Sequence, residues 1–411
     1  MESNKPNWFD ALNGLPALFG SSACETLELK RLALFIKGSL EKCNLEGLEV
    51  TEEIRDFLLQ LNNLTSEGFE YWDAAHSIKE DYTQKTKLGL SGNEGRLLKT
   101  ELLDIINRAL ARVESGIRKA LNKKNNIYYS YFINEVLSYE KLKDNFIRPT
   151  KFKQIPLPLF LEGQMHGLRL ANNQGQAKTL HQGTRKSALF DKKLKMYKVT
   201  APLNSMPEEI GRCRIFTPGW LENESIWLHM EYKYMLELLK SGLYKEFYAD
   251  FKNVLIPFQK PVQYGRSILE NSSFLVSSIF PDKKLHGNGF VARLSGSTAE
   301  FLGIWLKMNL GLKPFFLNDN GELSLRFSPI LKGWLFDKKG CYSFNFLSRI
   351  RITYHNPKRK DTFGKNAVKV SRIFFNDKDS SPVEIQSDSI SSPYANQIRS
   401  RQINAIDIYL T

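Results

Sequence analysis

The sequence predicts an α plus β chain: a helical portion over residues 1–310, an antiparallel β-module over 311–376, and a polar tail over 377–411 that ends in one more strand. Three observations predict it. Apolar residues recur at three- and four-residue spacing through much of the first part, which is the period of an amphipathic helix. After Gly311 the pattern changes to short runs of Val, Ile, Phe, Tyr and Leu in rough alternation, which is the period of a strand. The two kinds of segment do not interleave, which argues against a doubly wound βαβ sheet. At 411 residues the chain exceeds one ordinary domain, so a two-domain division near residue 311 is expected.

The elements follow in order. Glu25 to Glu41, Glu52 to Leu64, Gly68 to Thr83 and Leu97 to Leu121 each pair an apolar stripe with a charged face and predict four helices. Helical spacing returns in "WLENESIWLHMEYKYMLELLKSGLYKEFYADFKNVLIPF", where Gly242 is the expected stop between two helices. It returns again in "STAEFLGIWLKMNLG", with Ser297 or Thr298 as N-cap and Gly311 as stop. The strands expected beyond it are "LSLRFSPI", "GCYSFNFL", "RIRITYHN" and "AVKVSRIFF". From Asn376 the composition turns to Ser, Asn, Gln and Asp, which predicts an exposed connector before "INAIDIYLT".

Charge and cysteine usage narrow the function classes. The net charge is +14, but the basic runs "FDKKLKMYK", "PKRKD" and "NKKNN" are short and separate. None alternates with aromatic residues as a base-stacking surface does, so the charge reads as a Lys-rich solvated surface with no nucleic-acid partner. No window approaches the roughly 18 apolar residues of a membrane span, and no signal-peptide pattern opens the chain, so a cytoplasmic setting is expected. Cys24, Cys43, Cys213 and Cys341 show no C-x-x-C spacing, which predicts buried reduced thiols and no metal site. "GNGFVA" at Gly287 has two of the three glycines of a dinucleotide loop and follows no strand, so it does not read as one.

Three segments concentrate polar and aromatic residues: "NWFDALNG" at Asn7, "RIFTPGWLENESIWLH" at Arg214 and "LHGNGFVARLSGSTAEF" at Leu285. Trp8 and Trp220 offer flat apolar faces of the kind that pack on a sugar. A carboxylate held against an aromatic keeps a raised pKa and serves as a general acid, which makes Asp10 the candidate; its alternative is a turn-capping Asp. Ser295 and Gly296 stand just ahead of an expected helix start, where free N–H groups favour an anion; the alternative is an ordinary Ser or Thr cap. His229 sits in a helical pattern, where a lone His is ordinarily structural.

All three segments, in this order, resemble the cellobiose-phosphorylase family, glycoside hydrolase family 94. "NWFDALN" resembles the family's D-W-N-D segment, with Asp10 at the general-acid position. "FTPGWLENESIWLHME" resembles its F-T-P-G, E-N and helical His elements, with His229 at a phosphate-contacting position. "HGNGFVARLSGSTAEF" resembles its H-G-x-G and (T/S)-G-(T/S)-A elements, with Ser295 and Gly296 at phosphate-loop positions. "LKGW" and "RIRITYHNP" look like strands of its C-terminal domain, so the resemblance runs from Pro6 to about Ile373.

The departures are Asn7 for the first Asp, Phe9 for Asn, and Glu224 with Ser225 for a Gly-Gly pair. The resemblance implies the C-terminal part of an (α/α)6 barrel followed by a β-sandwich-like domain. It also implies inverting phosphorolysis of a β-linked glucosyl disaccharide or oligosaccharide. Asp10 is then the acid, His229, Ser295 and Gly296 hold phosphate, and Trp8, Glu222 and Asn223 contact sugar. Inorganic phosphate is a co-substrate, and no cofactor is implied. The family's N-terminal β-domain, early barrel helices and a further phosphate-binding Arg have no counterpart here. The expected partners besides oligosaccharide and phosphate are therefore that N-terminal half or a second copy of the chain. Two alternatives remain open: hydrolysis or transglycosylation with Glu222, Glu224 or Glu270 as base, and an inactive fragment or carbohydrate-binding subunit.

Overall fold

The computed structural model describes residues 20–292 and 295–411. Its helices are α1 (Ala23–Lys42), α2 (Glu52–Asn62), α3 (Gly68–Thr86), α4 (Lys99–Ala120), α5 (Leu161–Arg169), α6 (Gln174–Lys186), α7 (Arg212–Ile215), α8 (Leu228–Lys240), α9 (Tyr244–Val254), α10 (Pro261–Tyr264), α11 (Ser295–Leu310) and α12 (Tyr394–Arg399). Strands accompany them throughout, so the described chain mixes helix and sheet. No helix among the described residues is long and apolar enough to cross a membrane.

The chain divides into two compact units. The first holds residues 20–234 together with Pro261–Arg266 and Phe274–Phe290. Its helices start where side chains satisfy the free amides of the first turn. Ser22 accepts from the Glu25 amide at 3.2 Å, and Asn173 accepts from the Gln176 amide at 2.9 Å. At α4 the Glu101 carboxylate reaches back to the Leu98 amide at 2.8 Å. α1 packs on α4 and α5 and buries Ala23, Cys24, Leu27, Ala33 and Leu40.

α5 is more deeply set, with Leu161 through Leu168 all buried. Its two glycines make that possible, because a Cβ at Gly163 would stand 2.4 Å from Ser130 Oγ and one at Gly167 would stand 2.6 Å from the Tyr128 ring. The helix is thus pressed against the chain at residues 128–130. A core of Tyr131, Leu157, Phe160, Val199, Leu203, Ile210 and Cys213 lies beside it.

The helical reading of residues 1–310 requires a correction here. Tyr131–Lys141 and Ile147–Pro156 form a long antiparallel hairpin, with Phe132 opposite Pro156 and Ile133 opposite Ile155. Its ladder shifts register between Val136 and Ser138, and most of its outer half is exposed. A bulged strand with charged residues on its open face carries little alternation, so its sequence shows no clean period.

The second unit holds Met235–Lys260, Ser267–Ser273 and Val291–Thr411. It contains a five-stranded sheet in the order Cys341–Phe346, Ile350–His355, Ala405–Leu410, Val370–Asn376, Pro382–Ile385. Trp305 of α11 meets the Phe344 ring edge-on at 5.3 Å, and the buried Tyr354 hydroxyl donates to the Asn309 carbonyl at 2.7 Å.

Two expectations are corrected in this unit. The sheet is not wholly antiparallel, because Ile350–His355 runs parallel to Ala405–Leu410. Residues 377–411 are not an exposed connector. They supply the strands Pro382–Ile385 and Ser389–Ser391 and helix α12, and the last strand lies between two others with Ile406, Ile408 and Leu410 buried.

All four cysteines are free, and Cys24 and Cys213 are buried as expected. Cys43 is exposed and Cys341 half-buried, so the expectation of four buried thiols holds for two of them. Burial pushes the Cys24 and Cys213 thiols well above the ordinary range.

Candidate functional site

The segment from Thr217 to Glu231 is built around a tight turn. Gly219 has φ +90°, its amide donates to the Asn223 carbonyl at 2.7 Å, and the Asn223 amide donates back to the Trp220 carbonyl at 3.1 Å. A Cβ on Gly219 would stand 2.6 Å from the Phe280 amide nitrogen, so the turn lies directly against the loop that carries "PDKKLHGNGF". The Ser277 amide donates to the Gly219 carbonyl at 3.2 Å across the same contact. Trp220 fills the seam, with its ring 5.1 Å from Phe274, 5.5 Å from Phe280 and 4.6 Å from Phe290. Gly219→Ala combines a left-handed φ with a backbone clash. It is expected to destabilise the first unit by more than about 1 kcal/mol, measured by urea unfolding; a variant as stable as the parent would contradict this packing.

The loop on the other side of the seam is fixed by a neutral histidine. The Lys193 ammonium donates to His286 Nδ1 at 2.8 Å, so the ring proton sits on Nε2, which donates to the Phe280 carbonyl at 2.8 Å. Asp191 holds the same region, accepting the Lys193 and Leu194 amides at 3.0 Å each, the Ser278 hydroxyl at 2.9 Å and the Ser278 amide at 2.7 Å. With its hydrogen-bonding capacity used in this way, Asp191 is a loop anchor.

Beyond the turn the chain enters a buried polar ladder. Leu221 and Glu224 both take left-handed φ, +47° and +58°, a conformation non-glycine residues hold only where surrounding contacts enforce it. For Glu224 those contacts are clear. Its Oε1 accepts from Lys198 Nζ at 2.5 Å, the two side chains are only 3% and 6% exposed, and its amide donates to Thr200 Oγ1 at 3.0 Å. The Val199 amide donates to the Ser225 carbonyl at 2.8 Å, and Glu231 Oε1 accepts the Tyr197 amide at 2.7 Å. The stretch Tyr197–Thr200 is thereby tied to Glu224, Ser225 and Glu231.

The sequence-derived residues fall as follows. Asp10 and Trp8 lie outside the described residues. Glu222 is half-buried in the turn, with its carbonyl accepting from the Cys213 thiol at 3.3 Å. Asn223 is fully buried and donates from Nδ2 to the Phe216 carbonyl at 2.6 Å, which makes it a strut of the turn. His229 is half-buried in the first turn of α8. Glu222, Asn223 and His229, neighbours in sequence, all lie in the first unit.

Ser295 and Gly296 belong to the second unit, where α11 begins at Ser295. That corrects the expected N-cap: Ser297 and Thr298 are inside the helix, and Ser297 is fully buried. The Gly296 amide is accordingly among the first-turn N–H groups that lack a helical acceptor.

Lys198, Thr200 and Glu231 were not among the candidates. The signal for Lys198 was present in "MYKVTAPL", where it is the one charged residue of a largely apolar run.

No family model and no curated protein matches this chain. Among solved structures it is similar to the GH63 mannosylglycerate hydrolase from Thermus thermophilus in complex with glucose, at 12% identity and TM-score 0.30, over 62% of this chain and 58% of that one. It is also similar to an uncharacterized conserved protein from Thermus thermophilus, at 10% identity and TM-score 0.30, over 62% of each chain. The chain thus spans less than two thirds of either. Likeness of this extent assigns neither fold nor activity. The turn and the ladder rest on their own geometry.

Proposed function

We propose that this chain is a carbohydrate-active protein that cleaves a β-linked glucosyl disaccharide or oligosaccharide by inverting phosphorolysis. What supports the reading is a single meeting of segments. The "FTPGWLENES" and "HGNGF" stretches, singled out by a family resemblance and far apart in sequence, are seated against one another through Gly219, Trp220, Phe280 and Phe290. In this reading the helices belong to part of an (α/α)6 barrel, the strands after residue 311 to a sandwich-like domain, and the protein acts in the cytoplasm.

Inversion by phosphorolysis needs one carboxylic acid, because bound phosphate takes the place of the water that a second carboxylate activates in a hydrolase. Asp10 protonates the glycosidic oxygen; His229, Ser295 and the Gly296 amide hold phosphate; Trp8 and Glu222 shape the sugar side, while the expected sugar contact of Asn223 gives way to its buried role as a strut of the turn. The buried ion pair bears on the rival. A hydrolase using Glu224 as base would need that carboxylate to reach a water, and Lys198 and the backbone hold it inside the protein.

The reading is tested on the phosphate dependence of cleavage. His229→Ala is expected to raise the phosphate concentration needed for half-maximal rate by about tenfold or more, while changing the sugar KM far less. Equal changes in both constants would remove His229 from the phosphate site.

A further inference from the structure

We propose that Cys24, Glu162 and His166 form a zinc site inside the first unit. This replaces the expectation that the chain holds no metal. The three residues are buried, and their ligand atoms all lie within 4.8 Å of one another. Glu162 and His166 are four residues apart on α5 and project from one helical face, and Cys24 comes from the first turn of α1. A thiolate, an imidazole and a carboxylate are a donor set that suits zinc.

The spacing and hydrogen bonding around His166 carry the argument. Nδ1 lies 2.7 Å from Glu28 Oε1, and Nε2 faces Glu162. A carboxylate gripping the far nitrogen of an imidazole is the support that metal-ligating histidines ordinarily have. Nε2 and Glu162 Oε1 then face each other at 3.8 Å, with side chains only 10% and 8% exposed. Two donors on one tetrahedral zinc stand about 3.3 to 3.6 Å apart, given bonds of roughly 2.0 to 2.3 Å. The gap is therefore too wide for a hydrogen bond and nearly the width of a cation site.

The surroundings are built to hold it. Tyr131 donates to the other Glu162 oxygen and so orients the carboxylate. Ser130 accepts the Gly163 amide at 3.1 Å and donates to the Phe160 carbonyl at 3.2 Å, pinning the start of α5. Arg169 donates to the same Glu28 oxygen at 2.7 Å. On binding, the Cys24 thiol releases its proton to solvent and the sulfur–zinc bond takes its place. Thiolate and carboxylate then balance the two charges of the ion, and the fourth position is left to a solvent molecule.

The test uses the full chain, stripped with chelator, its accessible thiols alkylated while it is folded, then titrated with Zn²⁺ and with Co²⁺. One equivalent of each is expected, with Co²⁺ giving a thiolate charge-transfer band. Cys24→Ser is expected to abolish that band. Glu28→Gln is expected to keep the band while weakening Co²⁺ affinity about 10- to 100-fold. Absence of saturable uptake by the folded parent chain would overturn the proposal, as would uptake without a thiolate band. Should Cys24→Ser fail to fold, those two readings on the parent decide the matter alone.

Discussion

Under the proposed function, replacing Asp10 by Asn is expected to lower turnover by about 10²- to 10⁴-fold and to leave sugar affinity nearly unchanged, the pattern of lost general-acid catalysis. A sugar leaving group departs as a poor alkoxide unless a proton reaches its oxygen as the bond breaks. Asn matches Asp in size and shape but has no carboxyl proton to give. The defect depends on the leaving group. On a glycosyl fluoride, whose departure relies far less on proton transfer to the leaving atom, the variant should recover much of the parent rate. A variant within about twofold of the parent on a disaccharide would remove Asp10 from the mechanism.

The second large effect concerns stability. Lys198→Met or Glu224→Gln, each alone, is expected to destabilise the fold by about 3 to 5 kcal/mol, because each leaves a charge buried without its partner. The penalty is sharpened at Glu224, whose left-handed backbone is supported by the contacts that Lys198 and Thr200 make with it. The double variant Lys198→Met with Glu224→Leu removes both charges and should recover a large part of the loss. Urea unfolding of the three variants beside the parent measures this. Two single variants within about 1 kcal/mol of the parent would show that the pair is not held out of water as described.

Local periodicity carried much of the fold into the sequence. The spacing that predicts helices over Glu25 to Glu41 and Leu97 to Leu121 matches α1 (Ala23–Lys42) and α4 (Lys99–Ala120), the two helices that pack on one another. Gly242 and Gly311, at φ +74° and +97°, stop their helices as expected. The hairpin of Tyr131–Lys141 with Ile147–Pro156 was not legible, since a shifted ladder with an exposed charged face erases the two-residue period.

The tail misled for a different reason. Polar composition describes what Ser389–Ser391 and its neighbours show to water, whereas their strand pairing is decided by partners elsewhere, such as Leu325 opposite Ile390. Contacts of long sequence separation left no local trace at all. Lys198 and Glu224 are 26 residues apart, and His166 and Glu28 are 138 apart. Only the motif segments hinted that the turn at Gly219 and the loop before Phe290 belong together.

The most direct measurement follows the fate of phosphate. The chain, alone and with the upstream half of a phosphorylase supplied in trans, is incubated with a β-linked glucosyl disaccharide, with and without inorganic phosphate, and the products are followed by phosphorus and proton NMR. Cleavage is expected only with phosphate, yielding a sugar 1-phosphate of α configuration, the anomer that one in-line displacement on a β-linkage leaves behind. Free sugars released at the same rate without phosphate would contradict it, and so would the absence of any product in both arms.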